Sequence, residues 1–307
     1  MSKEFTKSFD DSPLHVYYIR LDLEDDGTYS PDIQKFSDEL FYDLPSFAFG
    51  SKQVEKVIQD ETSKGVGIAE VIQKLGVKSA RMLYDVSEMR DAIEYYKTNP
   101  VEDKYLKKGE FGELLLYHFL KEYHNTDNLI SKIYFKDTAN MPAHGFDAVH
   151  LDVENKTIWL GESKLYKDKN SAMTALAGDV EEHFNRNFFN SEFMTITNRV
   201  KDENLVQDEW VRKIIDPDTE TFEKLAKINI ALFAGFDSKI FENYSPKLSG
   251  EFLEKLKKEV SSLQKSFEDK NKSSWKDDLN IYLIFFPMVS KNDVVSHLHK
   301  KLIGRAM

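Results

Sequence analysis

The spacing of apolar and polar residues divides the chain into a strand-then-helix front and a mixed rear. Residues His15 to Leu23 (HVYYIRLDL) are β-rich and partly alternating, and the polar run DDGTYSPD after them reads as a turn. Helical spacing follows over Asp32 to Phe41, Lys52 to Asp60, Ile68 to Leu75 and Ser79 to Lys97, the last with Met82, Val86, Met89 and Ile93 on one stripe. At Asn99-Pro100 the pattern restarts. Asn is a good N-cap, Pro suits the first turn, and Glu102 and Asp103 favour the positive end of a helix dipole. One long helix or a broken pair is expected to run to about Tyr123. Three short β signals come next: Ile130 to Phe135, Gly145 to Val153 and Thr157 to Lys164. Ser171 to about Phe189 is helical and starts rich in small residues. Ile228 to Phe236 and Leu279 to Phe286 are continuous apolar runs of strand length, which predicts buried strands, and an amphipathic helix (Lys247 to Phe267) separates them. The order from Pro100 onward is therefore α-β-β-β-α-β. No repeat or flexible linker cuts the chain, so the pattern change sets the division: residues 1–99 form a β-strand plus helical region, and residues 100–307 an α/β (α+β) domain with a mixed central sheet flanked by helices.

Composition narrows the chemistry. With 31% charged and 41% apolar residues over 307 positions, this is a globular chain of one large or two ordinary domains. The absence of cysteine excludes disulfides, thiolate zinc sites, iron-sulfur clusters and a cysteine nucleophile. GxSxG, HExxH and Walker motifs are also absent, which leaves serine hydrolase, zincin and NTPase readings without support. The first residues, MSKEFTKSFDDSPLHV, contain no apolar signal region and no apolar run is long enough to span a membrane, so a cytoplasmic protein is expected. A net charge of -11 opposes unaided binding to a phosphate backbone, and any nucleic-acid role needs a local basic groove or a basic partner.

The strongest chemical signal lies in GFDAVHLDV and TIWLGESK, two strand segments joined around Glu154-Asn155-Lys156. A two-residue turn at Asn155-Lys156 pairs Val153 with Ile158 and Leu151 with Leu160; carried on, it sets Val149 against Glu162 and Asp147 against Lys164. Alternation keeps all of these on one face, an apolar base that ends in Asp147, Glu162 and Lys164. Two carboxylates about 4 Å apart repel by roughly 4 kcal/mol at an effective dielectric of about 20. A cation relieves that repulsion, and oxygen-only ligands select a hard divalent ion such as Mg2+ or Mn2+. The preceding helix offers Glu113, or alternatively Glu110, in KKGEFGELLLYHFL. An acidic residue two before a lysine is common here (Glu102/Lys104, Glu154/Lys156, Asp237/Lys239), so it is the strand, its apolar neighbours and Asp147 that single out Glu162/Lys164.

A helix Glu, then Gly-Phe-Asp147, then Glu162-Ser-Lys164 resembles the PD-(D/E)xK nuclease superfamily, although Phe146 stands where the name has Pro. The resemblance implies a restriction-endonuclease-like core. It also implies metal ligation by Asp147, Glu162, the Ser163 carbonyl and Glu113, with Lys164 orienting the attacking water. More narrowly, the GEFGE helix, the HGFDAVH and GESK strands and the small-residue helix after them resemble the HamA nuclease subunits of Hachiman anti-phage defence. That resemblance implies DNA as substrate and a helicase partner, HamB, which would supply a phosphate grip. The expected function is thus a metal-dependent DNA nuclease, with a catalytically silent adaptor of the helicase or a stand-alone restriction or repair endonuclease as alternatives. Residues 1–99 carry no recognisable chemistry and are expected to dock the partner.

Lys167, Lys169 and Asn170 are expected to form the rim facing a nucleic-acid strand. His144 and His150 point to the face opposite Asp147 and read as structural. The pair His297 and His299 reads as an exposed helix end.

Overall fold

The two apolar runs near residues 230 and 284 sit inside a seven-stranded sheet in the computed structural model, which describes residues 5–11, 13–83, 92–131, 145–202, 208–245 and 249–306. The strands are β1 (Phe5–Asp11), β2 (Leu14–Ile19), β3 (Leu21–Leu23), β4 (Tyr29–Pro31), β5 (Asp127–Ser131), β6 (Ala148–Asp152), β7 (Thr157–Leu165), β8 (Ile228–Asp237) and β9 (Asn280–Met288). The sheet order is β1-β2-β9-β8-β7-β6-β5, with β3 and β4 forming a separate two-stranded sheet. Strands β2, β9, β8 and β7 run parallel to one another, while β1, β6 and β5 add antiparallel edges. Parallel neighbours need crossover connections, and long helices supply them between β7 and β8 and between β8 and β9.

In the front region the helices are α1 (Ile33–Tyr42), α2 (Leu44–Phe49), α3 (Ser51–Ser63), α4 (Ile68–Leu83) and α5 (Ala92–Thr98). The rear has α6 (Asp103–Leu106), α7 (Glu110–His124), α8 (Lys169–His183), α9 (Arg186–Asp202), α10 (Glu209–Ile215), α11 (Thr221–Leu225), α12 (Ser249–Lys270) and α13 (Lys291–Ala306). The expected helix from Pro100 is thus a broken pair. The α-β-β-β-α-β order holds, with further helices between β7 and β8.

Strand alternation divides the core in two. Trp159, Phe233 and Phe286 face one layer, built from α1, α2, α4, α7 and α13; their neighbours Leu160, Leu232 and Phe285 face α8, α9 and α12. Residues from both sides of Asn99 contribute to the first layer, and β2 pairs with β9 through Leu14↔Leu283, His15↔Ile284 and Val16↔Phe285. Helix α7 lies close against β7. A Cβ at Gly161 would come within 2.7 Å of the Leu116 side chain and 3.2 Å of Ala148, so a larger residue there would force Leu116 to shift.

The β6–β7 register differs from the one expected. Val149 pairs with Leu160 and Leu151 with Ile158, a slip of two residues. The connection spans Val153 to Lys156 rather than two residues. Asp152 holds it by accepting hydrogen bonds from the backbone N–H of Asn155 (2.9 Å) and from its side chain (2.9 Å), and Lys156 adopts a left-handed conformation (φ 53°). Val153, expected to be a buried partner, is 49% exposed. Because the slip is even, every side chain keeps its predicted face.

Candidate active site

Three elements, α7, the entry to β6, and β7, carry the candidate residues. Glu113 is buried in the first turn of α7, where a carboxylate suits the helix dipole. Asp147 immediately precedes β6. The chain enters through Gly145 at φ 128°, where a Cβ would come within 2.5 Å of the Glu192 carboxylate, so glycine is required. Glu162 and Lys164 lie on β7, two residues apart and on one face. Oδ2 of Asp147 accepts hydrogen bonds from the backbone N–H of Ser163 (2.9 Å) and from its hydroxyl (2.8 Å), which ties the start of β6 to the middle of β7.

Asp147 and Glu162 are close enough to repel. The β6–β7 register, continued one step beyond Ala148↔Gly161, sets them opposite each other in place of the expected Asp147–Lys164 pair. Burial, and then the charge of Asp147, push the Glu162 carboxyl up to about 7, against the pull of His183. Glu162 is only 2% exposed.

The sequence reading missed the helix that answers these groups. On α8, Asp179 stands 2.5 Å from the Lys164 ammonium, and Nδ1 of His183 lies 2.7 Å from Oε1 of Glu162. Four helical residues rise about 6 Å and two strand residues about 6.6 Å, so an acid and a histidine at i and i+4 match a Glu and a Lys at i and i+2. The available signal was GDVEEH, an acid and a histidine four apart at the end of the helix after GESK. Burial lowers the Lys164 pKa, but Asp179, Glu162 and Asp147 outweigh it and the net shift is upward. His183 likewise ends above its ordinary value, since Glu162 outweighs burial, and its ring stacks on Phe188 at 4.3 Å.

A cleft of about 670 Å3 opens beside these residues, lined by Glu113, Asp147, Ser163 and Lys164 but not by Glu162. Lys107, Lys167 and Lys291 also line it, and with Lys164 they outnumber the acids Asp103, Glu113 and Asp147. The lining of the cleft is therefore rich in lysine although the chain carries a net charge of -11. Glu113 reaches this wall, whereas Glu110 lies 4.0 Å from Lys108. Of the expected rim, Lys167 lines the cleft, but Lys169 is tied to Glu259 on α12. Among the described residues no group of three or more His, Asp or Glu side chains is arranged to hold a metal ion.

The HamA family model matches residues 2–302, nearly the whole length. The chain belongs to the HamA family. HamA proteins are part of Hachiman defence, a system that implies a partner. No curated protein matches the chain.

Three further histidines of this HamA-family protein, His150, His297 and His299, are packed against other side chains away from these groups. His150 is fully buried, with Nδ1 2.9 Å from the Thr126 hydroxyl, while His144 lies outside the described residues. His299 is also fully buried, stacked on Tyr105 at 4.3 Å, and His297 lies 3.1 Å from the Ser37 hydroxyl. They therefore do not form the exposed helix end expected, because α13 packs against α1, α5 and α6. No described helix is long and apolar enough to cross a membrane.

Proposed function

We propose that this HamA-family chain is a Mg2+- or Mn2+-dependent deoxyribonuclease, the cytoplasmic effector subunit of a defence complex whose other subunit is the helicase HamB. The observation that carries this reading is the adjacency of two buried carboxylates, Asp147 and Glu162, with Lys164 next to them on the wall of a lysine-lined cleft. A carboxyl pushed up to about 7 by burial and a neighbouring acid belongs to a pair short of positive charge. Asp147, Glu162 and the Ser163 carbonyl are oxygen donors that suit a hard divalent ion, and Glu113 can add to them from the cleft wall. When bound, such an ion supplies Lewis acidity toward a phosphodiester and its attacking water.

The chain's own residues account for the rest. Lys164, protonated beside Asp179, stabilises negative charge on the phosphoryl oxygens and orients the attacking water; its raised pKa makes it a poor general base. Lys107 and Lys167 are exposed and make no side-chain ion pair among the described residues, so both are available to backbone phosphates. Residues 1–99 dock the helicase. Their α3 buries no residue, and α4 exposes Ile68 and Ile72 one turn apart.

The test is cleavage of linear and circular DNA by the purified chain, alone and with its helicase, in Mg2+ and in chelator. Metal-dependent cutting that Lys164→Gln slows by about 100- to 1000-fold is the expected result. No metal-dependent cutting under any condition would favour a silent adaptor, and full activity of the isolated chain on naked DNA a stand-alone nuclease.

A further inference from the structure

Resting on the nuclease reading above, we propose that Asp179 is a positioning residue, which fixes the Lys164 ammonium in its working orientation at the cleft. Lysine carries a point charge on a flexible four-carbon stem, and strand geometry alone leaves the position of that charge undefined. The Asp179 carboxylate, 2.5 Å away, defines it. The two side chains retain only 22% and 17% of their accessibility, so the pair is far less screened than a surface salt bridge.

Both backbones that carry the pair are rigid. Lys164 lies in register with the fully buried Ala234 of β8. Asp179 sits on α8 between Ala177 and Val180, which are buried against the sheet, and Asp168 caps that helix by accepting from the Ser171 N–H at 2.7 Å. Lys164 lines the cleft and Asp179 does not. Asp179 therefore does not touch a substrate in the cleft, and the group through which it reaches one most directly is the amine it holds, which separates positioning from contact. A merely structural ion pair would leave turnover intact once the fold was intact.

The test is a double-mutant cycle on the full-length protein in complex with its helicase, read as kcat and KM for cleavage of linear DNA together with the thermal midpoint. Asp179→Asn is expected to lower kcat by about 10- to 100-fold through loss of alignment, with KM little changed. Asp179→Glu, which restores the charge, should recover part of that loss. In a Lys164→Gln background Asp179→Asn should cost nothing further, because the group it acts through is gone. Asp179→Ser replaces Asp179→Asn if the latter does not fold and is read in the same way. Wild-type kcat in the folded single variant, or the same fold-loss with and without Lys164, overturns the proposal. A wild-type protein that cuts DNA under no condition overturns the nuclease reading itself, and that arm is scored separately.

Discussion

Nδ1 of His183 stands 2.7 Å from Oε1 of Glu162, a carboxylate that is 2% exposed and already repelled by Asp147. One imidazole does not offset that burial. The Glu162 carboxyl ends at about 7 against an ordinary 4.5, so above pH 7 its ionised form works against the fold. In chelator at pH 8, Glu162→Gln should therefore be more stable than wild type, by about 1 to 3 kcal/mol. The advantage should shrink toward pH 5, where the wild-type carboxyl is protonated and no longer opposes the fold. Urea unfolding at the two pH values checks this, and a variant less stable than wild type at pH 8 would contradict it.

Lys164→Gln should separate turnover from folding. Loss of one fixed charge aimed at developing negative charge costs about 100- to 1000-fold in kcat where it stabilises a transition state. The fold should survive. Burial already raises the Asp179 pKa, so a carboxylate deprived of its amine can take up a proton rather than unfold the site. Cleavage kinetics and a thermal melt on the same preparation measure both effects.

The faces of β6 and β7 were legible because strand alternation has a period of two, and a register slip of two residues leaves it unchanged. The pairing itself was not, since Asp152 builds a longer turn than the Asn155-Lys156 dipeptide suggested. Asp179 and His183 were hidden for a different reason. Which face of α8 meets which end of β7 depends on how helix and sheet pack, and no local pattern records that. His299 was misjudged likewise: its burial comes from Tyr96 and Tyr105, some two hundred residues earlier in sequence. The order of elements was readable, while contacts between distant elements were not.

Lys107 and Lys167 should govern DNA affinity rather than turnover. Both line the cleft with exposed side chains. Replacing both with alanine removes two phosphate contacts, which should weaken binding across all sequences and reduce the slope of log K against log salt by about 2. At saturating DNA, kcat should stay near wild type. Lys291 is a poor choice for the same experiment: it is buried and donates to the Leu106 carbonyl, so its loss would disturb the fold. A salt titration of binding, in which an unchanged slope would exclude the phosphate role, decides the matter.

His150 should make the fold acid-labile. Burial drives its pKa down to about 3, and the same cause takes His299 to about 4. Unfolded, each would titrate near 6.5, so between pH 6.5 and those values the unfolded chain binds more protons and stability falls as pH falls. Above pH 6.5 neither contributes. His150→Asn replaces the ring nitrogen facing the Thr126 hydroxyl with an amide that can hydrogen-bond it but cannot become charged. Between about pH 6 and pH 4 its unfolding free energy should therefore fall less steeply than wild type, by about 1.4 kcal/mol per pH unit for the one proton no longer taken up. The opposing slope of Glu162 is present in both proteins and cancels in the comparison. Unfolding free energies measured across that range test this, and parallel slopes for the two proteins would show that His150 is not held neutral by its burial.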